Sequence, residues 1–204
     1  MDIRIEKIVR LQQQAVENWH TTPRPQEPQT DGLYATILEQ HTCNLNLWHE
    51  EDKARDPDAD DRVIADVKRR IDKLNQARND WIETIDEQIV RDLETNRISP
   101  STDMPLNTET PGCAIDRLSI LTIRIFHMRE QAEREDAGEE HKATVKQKLA
   151  VLGEQLSDLK SALSRLIKDV YSGKRRVRIY RQYKMYNDPT MNPCIYGKNT
   201  VNSQ

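Results

Sequence analysis

The sequence predicts an all-α protein: a bundle of about five helices in which long antiparallel helices are joined by short connections. Apolar residues recur at helical spacing over several long segments. Hydrophobic residues make up 36%, charged residues 32% and aromatic residues 5% of the 204 residues, a balance typical of long helices with exposed faces. We expect one bundle domain over residues 1–172 and, over 173–204, a basic, tyrosine-containing extension that packs on the bundle or extends from it.

The first three helices are separated by turn-forming segments. The first is predicted over Ile3–Trp19 and is short enough to need docking on the others. The proline-rich segment Thr21–Gly32 excludes a helix or a central strand, so it is predicted to be a linker or a lid. The second helix is predicted over Leu33–Asp56 and the third over Arg62–Asn96. Because only a short acidic turn joins these two long helices, we expect them to form an antiparallel pair.

The last two helices differ in their apolar patterns. The fourth is predicted to begin at Pro111, with Thr110 as its N-cap, and is apolar nearly all round, which indicates a central helix surrounded by others. The fifth, over His141–Tyr171, alternates steps of four and three between apolar residues, as in a coiled-coil seam. This seam either pairs back on the bundle or forms a homodimer. It consists of Val145, Leu149, Leu152, Leu156, Leu159, Leu163, Leu166 and Val170.

Polar residues occupy the stripe of the second helix that should face the core. At about 100° per residue, five of them fall on the same side as Ile37, Leu38 and Leu45. Burying such groups is costly unless each is paired, so the stripe predicts an internal polar network or a ligand pocket. The five residues are His41, Asn44, Trp48, Asp52 and Arg55.

The next two helices add polar residues to the same region. On the third helix they lie within the apolar stripe or along its edge: Lys68, Asp72, Asn75, Arg78 and Asn79. On the fourth they lie on two flanks of a helix that we expect to be enclosed, so none should be free in water: Asp116, Arg117, Arg124 and His127. Such a set is suited to holding an anionic ligand such as phosphate or carboxylate.

Roles can be assigned within such a pocket. Arg78, Arg117 and Arg124 would hold the anion, and Trp48 would stack on a sugar or a base. The catalytic candidates are His41, His49 and Asp52, since a partly buried imidazole beside a carboxylate can titrate near neutrality. The alternative is a structural network of hydrogen bonds and ion pairs that fixes the register of the helices.

Other chemistries have less support. Glu50, Glu51 and Asp52 with nearby histidines offer metal ligands, but His41 and His49 diverge by about 80° on one helix and no His-Glu-x-x-His or cysteine pair occurs, so we expect no metal site. The acidic turn at residues 56–61 lacks the glycine and glutamate of a calcium loop. No nucleophile elbow and no glycine-rich phosphate loop is present, and the pattern specifies no cofactor.

The segment Lys174–Lys184 carries six positive charges, no acid, and Tyr180 and Tyr183, with Tyr186 following. This composition suits contact with a polyanion, an anionic membrane surface, or docking on the bundle. A net charge of −3 does not favour sequence-specific nucleic-acid binding. Three scattered cysteines, and the absence of a leader-like or membrane-spanning apolar run, predict a cytoplasmic protein without a transmembrane segment.

Four blocks of the sequence resemble the bacterial family known as domain of unknown function 4254. They are His41–Pro57, Lys68–Asp86, Leu106–Met128 and Tyr180–Pro193. The resemblance implies a largely helical bacterial protein, of a kind often encoded among glycosyltransferases that build surface polysaccharide; it implies no activity. Arg124 stands where the family pattern has lysine. The family-pattern positions present are His41, Asn44, Trp48, His49, Glu51, Asp52, Arg55, Lys68, Asp72, Asn75, Arg78, Asn79, Asn107, Glu109, Thr110, Asp116, Arg117 and His127.

Two functions follow as alternatives. In one, a pocket among the second, third and fourth helices binds a phosphorylated sugar or nucleotide-sugar. In the other, a non-catalytic accessory protein uses the seam and the basic segment to scaffold a glycosyltransferase, and the polar cluster is structural. The glycan context of both rests on the resemblance.

Overall fold

A computed structural model of the protein describes residues 2–21, 30–185 and 188–196. This part of the chain contains no β-strand, so the predicted all-α class is confirmed. Residues 22–29, which hold most of the predicted linker or lid, lie outside the described residues. The helices are α1 (Ile5–Thr21), α2 (Gly32–Lys53), α3 (Asp61–Thr95), α4 (Pro111–Glu133), α5 (Glu139–Tyr171) and the short α6 (Pro193–Tyr196).

The helix ends follow the capping residues in the sequence. The side chain of Thr110 accepts a hydrogen bond from the Cys113 backbone N–H at 3.2 Å, which confirms it as the N-cap of α4. Asp60 caps α3 in the same way. Helix α2 ends at Lys53 and not at the predicted Asp56, because the chain tightens there into turns with bonds to the third residue back.

Helices α2 and α3 form the predicted antiparallel pair. Near the start of α2, Leu33 and Ile37 share a core with Ile89 from the later half of α3. Near its end, Leu47 packs with Val67 from the first half of α3. The two helices therefore run in opposite directions along their contact.

Helix α4 lies at the centre of the bundle, in contact with α1, α2, α3 and α5. Leu121 and Ile125 of α4 form a buried cluster with Leu152 of α5, against which Leu149 and Leu156 also pack. The heptad seam of α5 therefore pairs back on its own chain. A homodimer through this helix stays a prediction.

The start of α4 lies close against α3. The Gly112 backbone N–H donates a hydrogen bond of 2.7 Å to the buried carboxylate of Asp86. A Cβ at position 112 would lie 2.6 Å from the Ile82 carbonyl oxygen. Only glycine permits this contact, which fixes the position of the start of α4 against α3.

The basic segment after α5 returns along the bundle. The Arg176 backbone N–H donates to the Pro105 carbonyl at 3.0 Å, and Val177 packs against the main core. The Arg181 guanidinium forms ion pairs with Glu83, at 2.9 Å, and Glu87 of α3. Its charge is thus already matched by the bundle, while Tyr186 and Asn187 lie outside the described residues. No helix within the described ranges has an apolar stretch of the length needed to span a lipid bilayer.

Candidate functional site

An open cleft of about 450 Å³ lies between α2, α3 and α4. Polar residues surround an apolar floor, which is the usual construction of a small-molecule site. Six of the residues predicted from the helix stripes line it. The lining residues are Asn44, Leu47, Trp48, Glu51, Asp52, Arg55, Asn75, Arg78, Ile120 and Ile123.

Arg78 is the charged residue of α3 in this cleft. Its side chain is partly buried, and the Nε–H is buried without a hydrogen-bond acceptor. Within the described part of the chain, Arg78 forms no ion pair. Because Arg78 lines the cleft and no described residue accepts a hydrogen bond from its side chain, its positive charge is available to an anion in the cleft.

Two carboxylates stand at the cleft mouth near the end of α2. Glu51 forms an ion pair of 3.0 Å with Arg55 one turn later. Asp52 is exposed, and its side chain makes no hydrogen bond or ion pair to the residues that the structure covers. Its carboxylate is therefore available to accept hydrogen bonds from the hydroxyl groups of a ligand.

A buried polar network between α2 and α4 supports the inner wall. The Asn44 side-chain amide donates to Asp116 and to the Ser119 hydroxyl, each at 2.9 Å. Gln40 also donates to Asp116. Burial raises the pKa of Asp116, against the hydrogen bond from Asn44 and the positive charge of Arg78. This network holds the Asn44 amide at the edge of the cleft.

His41 belongs to this network and does not line the cleft. Its Nδ1 lies 2.7 Å from the Ser119 hydroxyl oxygen, and the residue is fully buried. Burial lowers the pKa of His41 to about 3, so the imidazole is neutral at physiological pH. The structure thus gives this predicted catalytic residue a structural position.

A cluster of aromatic rings lies behind Trp48. The Trp48 and His127 rings stack at 4.6 Å, and His20 contacts both His127, at 4.9 Å, and His49, at 5.2 Å. Burial lowers the pKa of His49, and the neighbouring His20 and His127 lower it further. His49 and His127 therefore support the cleft from behind and do not line it.

The histidines of this cluster are the residues most relevant to the hypothesis of a metal site. The Nε2 atoms of His20, His49 and His127 are buried without hydrogen-bond partners. Even so, among residues 2–21, 30–185 and 188–196 no group of three or more histidine, cysteine, aspartate or glutamate side chains is arranged to hold a metal ion.

Five further predicted ligand residues lie elsewhere than expected. Arg117 and Arg124 are exposed, contrary to the expectation that none on α4 is free in water, because that flank of α4 faces the open side of α5. Lys68 and Asp72 pair at 2.6 Å on the exposed side of α3, and so do not face the core. Asn79 is partly buried but does not line the cleft.

Sequence reasoning missed several supporting residues. Gln40 and Ser119 take part in the buried hydrogen-bond network. Gln40 lies one helical turn from Asn44, and Ser119 lies one turn from Asp116; this spacing could have identified them. Ile120 and Ile123 form the apolar floor, but they resemble ordinary core residues. His20 lies at the end of α1. Its contacts with residues of α2 and α4 could not be predicted, because helical periodicity does not show which helices pack together.

Comparison with known proteins gives a family but no neighbour of established activity. The profile of the family described as "Protein of unknown function (DUF4254)" matches residues 34–179, which include the whole cleft. No curated protein and no solved structure matches the chain. Since the match covers well over half of the sequence, the chain belongs to the family described as "Protein of unknown function (DUF4254)".

Proposed function

We propose that the protein binds an anionic small molecule, a phosphorylated sugar or a nucleotide-sugar, in the cleft between α2, α3 and α4. The observation that carries the proposal is Arg78: its guanidinium lines the cleft and has no ion pair or hydrogen-bond acceptor among the described residues. A phosphate group in the cleft would pair with this charge and accept charge-assisted hydrogen bonds from the terminal amino groups of Arg78.

The remaining lining suits the sugar part of such a ligand. Trp48 offers an aromatic face held by His127, and aromatic faces pack well on the C–H surface of a sugar ring. Asp52 and the amides of Asn44 and Asn75 supply acceptors and donors for hydroxyl groups. Of the three predicted catalytic residues, Asp52 lines the cleft and is the candidate for proton transfer.

The cellular setting of this proposal comes from the family resemblance. We place the protein in the bacterial cytoplasm, acting in the synthesis of cell-surface glycans. The choice of an anionic ligand with hydroxyl groups, by contrast, is argued from the cleft lining: Arg78, Trp48, Asp52, Asn44 and Asn75.

A thermal-shift screen against sugar phosphates, nucleotides and nucleotide-sugars tests the proposal. A ligand at about 100 times its Kd adds about 2.7 kcal/mol of stability, which corresponds to a rise in Tm of about 5–10 °C for a protein of this size. We expect the rise to disappear in Arg78→Met, which keeps the aliphatic stem, and to persist in Arg129→Ala, an exposed arginine of α4 outside the cleft. An equal rise in Arg78→Met, or no rise with any compound, would overturn the proposal.

A second candidate, a non-catalytic accessory protein for a glycosyltransferase, is favoured by a different observation. Of seven exposed large hydrophobic residues in the described chain, five lie in the C-terminal segment: Tyr180, Tyr183, Met185, Met191 and Ile195. Apolar side chains gathered on one exposed segment are typical of an interaction surface.

The accessory role is best tested with point variants. Deleting the segment after Gly173 would also remove Val177 and Arg181, which pack on the bundle. The double variant Tyr183→Ser/Met185→Ser changes only exposed side chains. Loss of co-purification with a glycosyltransferase from the same gene neighbourhood, with unchanged Tm, would favour this role; unchanged co-purification would contradict it.

A further inference from the structure

A second cleft, of about 500 Å³, lies between α4 and α5. It meets the first at Ile120, which lines both. The outward face of α4 is therefore the common floor of two adjoining clefts. The second is lined by Arg117, Ile120, Leu121, Arg124, Gln155, Asp158 and Leu159.

The second cleft contains two arginines, of which Arg124 has no side-chain partner among the described residues. Arg117 and Arg124 are seven residues apart on α4, hence on one flank and about 10 Å apart along the axis. The Arg124 side chain, which is exposed, makes no hydrogen bond or ion pair to any residue that the structure describes. Arg117 meets Glu109 at 3.1 Å, and both side chains are exposed. Such surface pairs contribute little, so a ligand anion can replace Glu109.

The opposite wall balances only part of this charge. Asp158 and Gln155 of α5 line the cleft with the two arginines. Once Glu109 is displaced from Arg117, two cations share the cleft with one carboxylate. A singly charged phosphate of a diphosphate diester that displaces Glu109 would balance the remaining positive charge, while the glutamine amide and the aspartate offer hydrogen-bonding groups for ribose or base. The lining thus suits a group that is both anionic and polar.

We infer that the two clefts are subsites for one elongated ligand, a nucleoside diphosphate sugar. The sugar lies against Trp48 in the first cleft, the diphosphate crosses Ile120 within reach of arginines on both sides, and the nucleoside occupies the second cleft. This inference rests on the proposed function and chooses between its two ligand classes, since a sugar monophosphate would fill only the first cleft.

Binding of ligands of increasing length tests the inference. Glucose 1-phosphate is compared by calorimetry with UDP-glucose, GDP-mannose and dTDP-glucose on the full chain. We expect the best nucleoside diphosphate sugar to bind the wild-type protein at least about tenfold more tightly than glucose 1-phosphate, because additional charge-assisted hydrogen bonds form in the second cleft. The double variant Arg117→Ala/Arg124→Ala should remove this difference and leave glucose 1-phosphate binding unchanged.

The control is Arg129→Ala/Arg165→Ala, which removes two exposed arginines of α4 and α5 that line neither cleft. It should bind all four compounds as the wild type does. Equal affinity of the wild type for short and long ligands, or wild-type binding by the Arg117→Ala/Arg124→Ala variant, would overturn the inference and leave the proposed function standing. Failure of every compound to bind the wild type would overturn both.

Discussion

The indole of Trp48 stacks on the imidazole of His127 with 4.6 Å between ring centroids and 9° between planes. Trp48 lines the first cleft and His127 does not. One face of the indole is thus occupied by a protein ring, and the side chain is held in one orientation at the cleft wall. A residue behind the site thereby prepares the surface that a ligand would meet.

The substitution His127→Ala should weaken ligand binding, although His127 does not line the cleft that would hold the ligand. Loss of the stacked partner frees the Trp48 side chain, and we expect a loss of about 0.5–1.5 kcal/mol in binding free energy, the range for an aromatic pair. Calorimetry with the ligand found by the screen measures this. The control is His141→Ala, an exposed histidine at the start of α5; equal affinities of the two variants would contradict the positioning role.

Two glycines should respond in opposite ways to alanine. In Gly112→Ala the new Cβ meets the Ile82 carbonyl oxygen at 2.6 Å and the Asp86 carboxylate at 2.9 Å, so we expect about 1–3 kcal/mol of destabilisation. In Gly153→Ala, within α5, nothing lies within 4 Å, and we expect a gain of about 0.5–1 kcal/mol. Denaturant unfolding measures both, and a stable Gly112→Ala would contradict the close contact of α3 and α4.

His41 should make the protein less stable in mild acid. Its pKa is lowered to about 3 by burial, against about 6.5 in the unfolded chain. Below pH 6.5 the unfolded state binds a proton that the folded state excludes, so this stabilising contribution is present above pH 6.5 and is lost as the pH falls. Between pH 7 and pH 5 the loss is about 2 kcal/mol.

The variant His41→Asn keeps a polar side chain toward Ser119 but cannot titrate. Its free energy of unfolding should therefore fall by about 2 kcal/mol less than that of the wild type between pH 7 and pH 5. Burial raises the pKa of Asp86 to about 6, which acts in the opposite direction, but this effect is common to both proteins. Parallel stability curves for the two proteins would contradict a buried, neutral His41.

Much of this architecture could be predicted because it depends on periodicity within single helices. The apolar stripes gave five helices and the antiparallel pair, and Thr110 with Pro111 marked the start of α4. Trp48 and Arg78 were also found in this way, since each lies on a stripe otherwise made of core residues. Polar residues on such a stripe are the local exception that a binding site requires.

The incorrect predictions concern side chains whose exposure to water depends on whether a neighbouring helix covers them, which the apolar pattern of a single helix does not show. Lys68 lies toward the end of the α2–α3 pair where Leu47, Val67 and Ile71 form a separate small cluster, and this short stretch of packing leaves its flank open to water. Arg117 lies on a flank of α4 that α5 only partly covers. A helical wheel gives the direction of a side chain, but it does not show which helix, if any, lies in that direction.

The central claim, that Arg78 receives the anion, is tested most directly by the NMR signal of its own Nε–H group. This resonance, assigned by its absence in Arg78→Met, is followed as glucose 1-phosphate is added to the labelled protein. Our account predicts a saturable change in the shift of the Arg78 Nε–H proton as the anion pairs with the guanidinium. Binding that saturates while the Arg78 signal stays unchanged would contradict it.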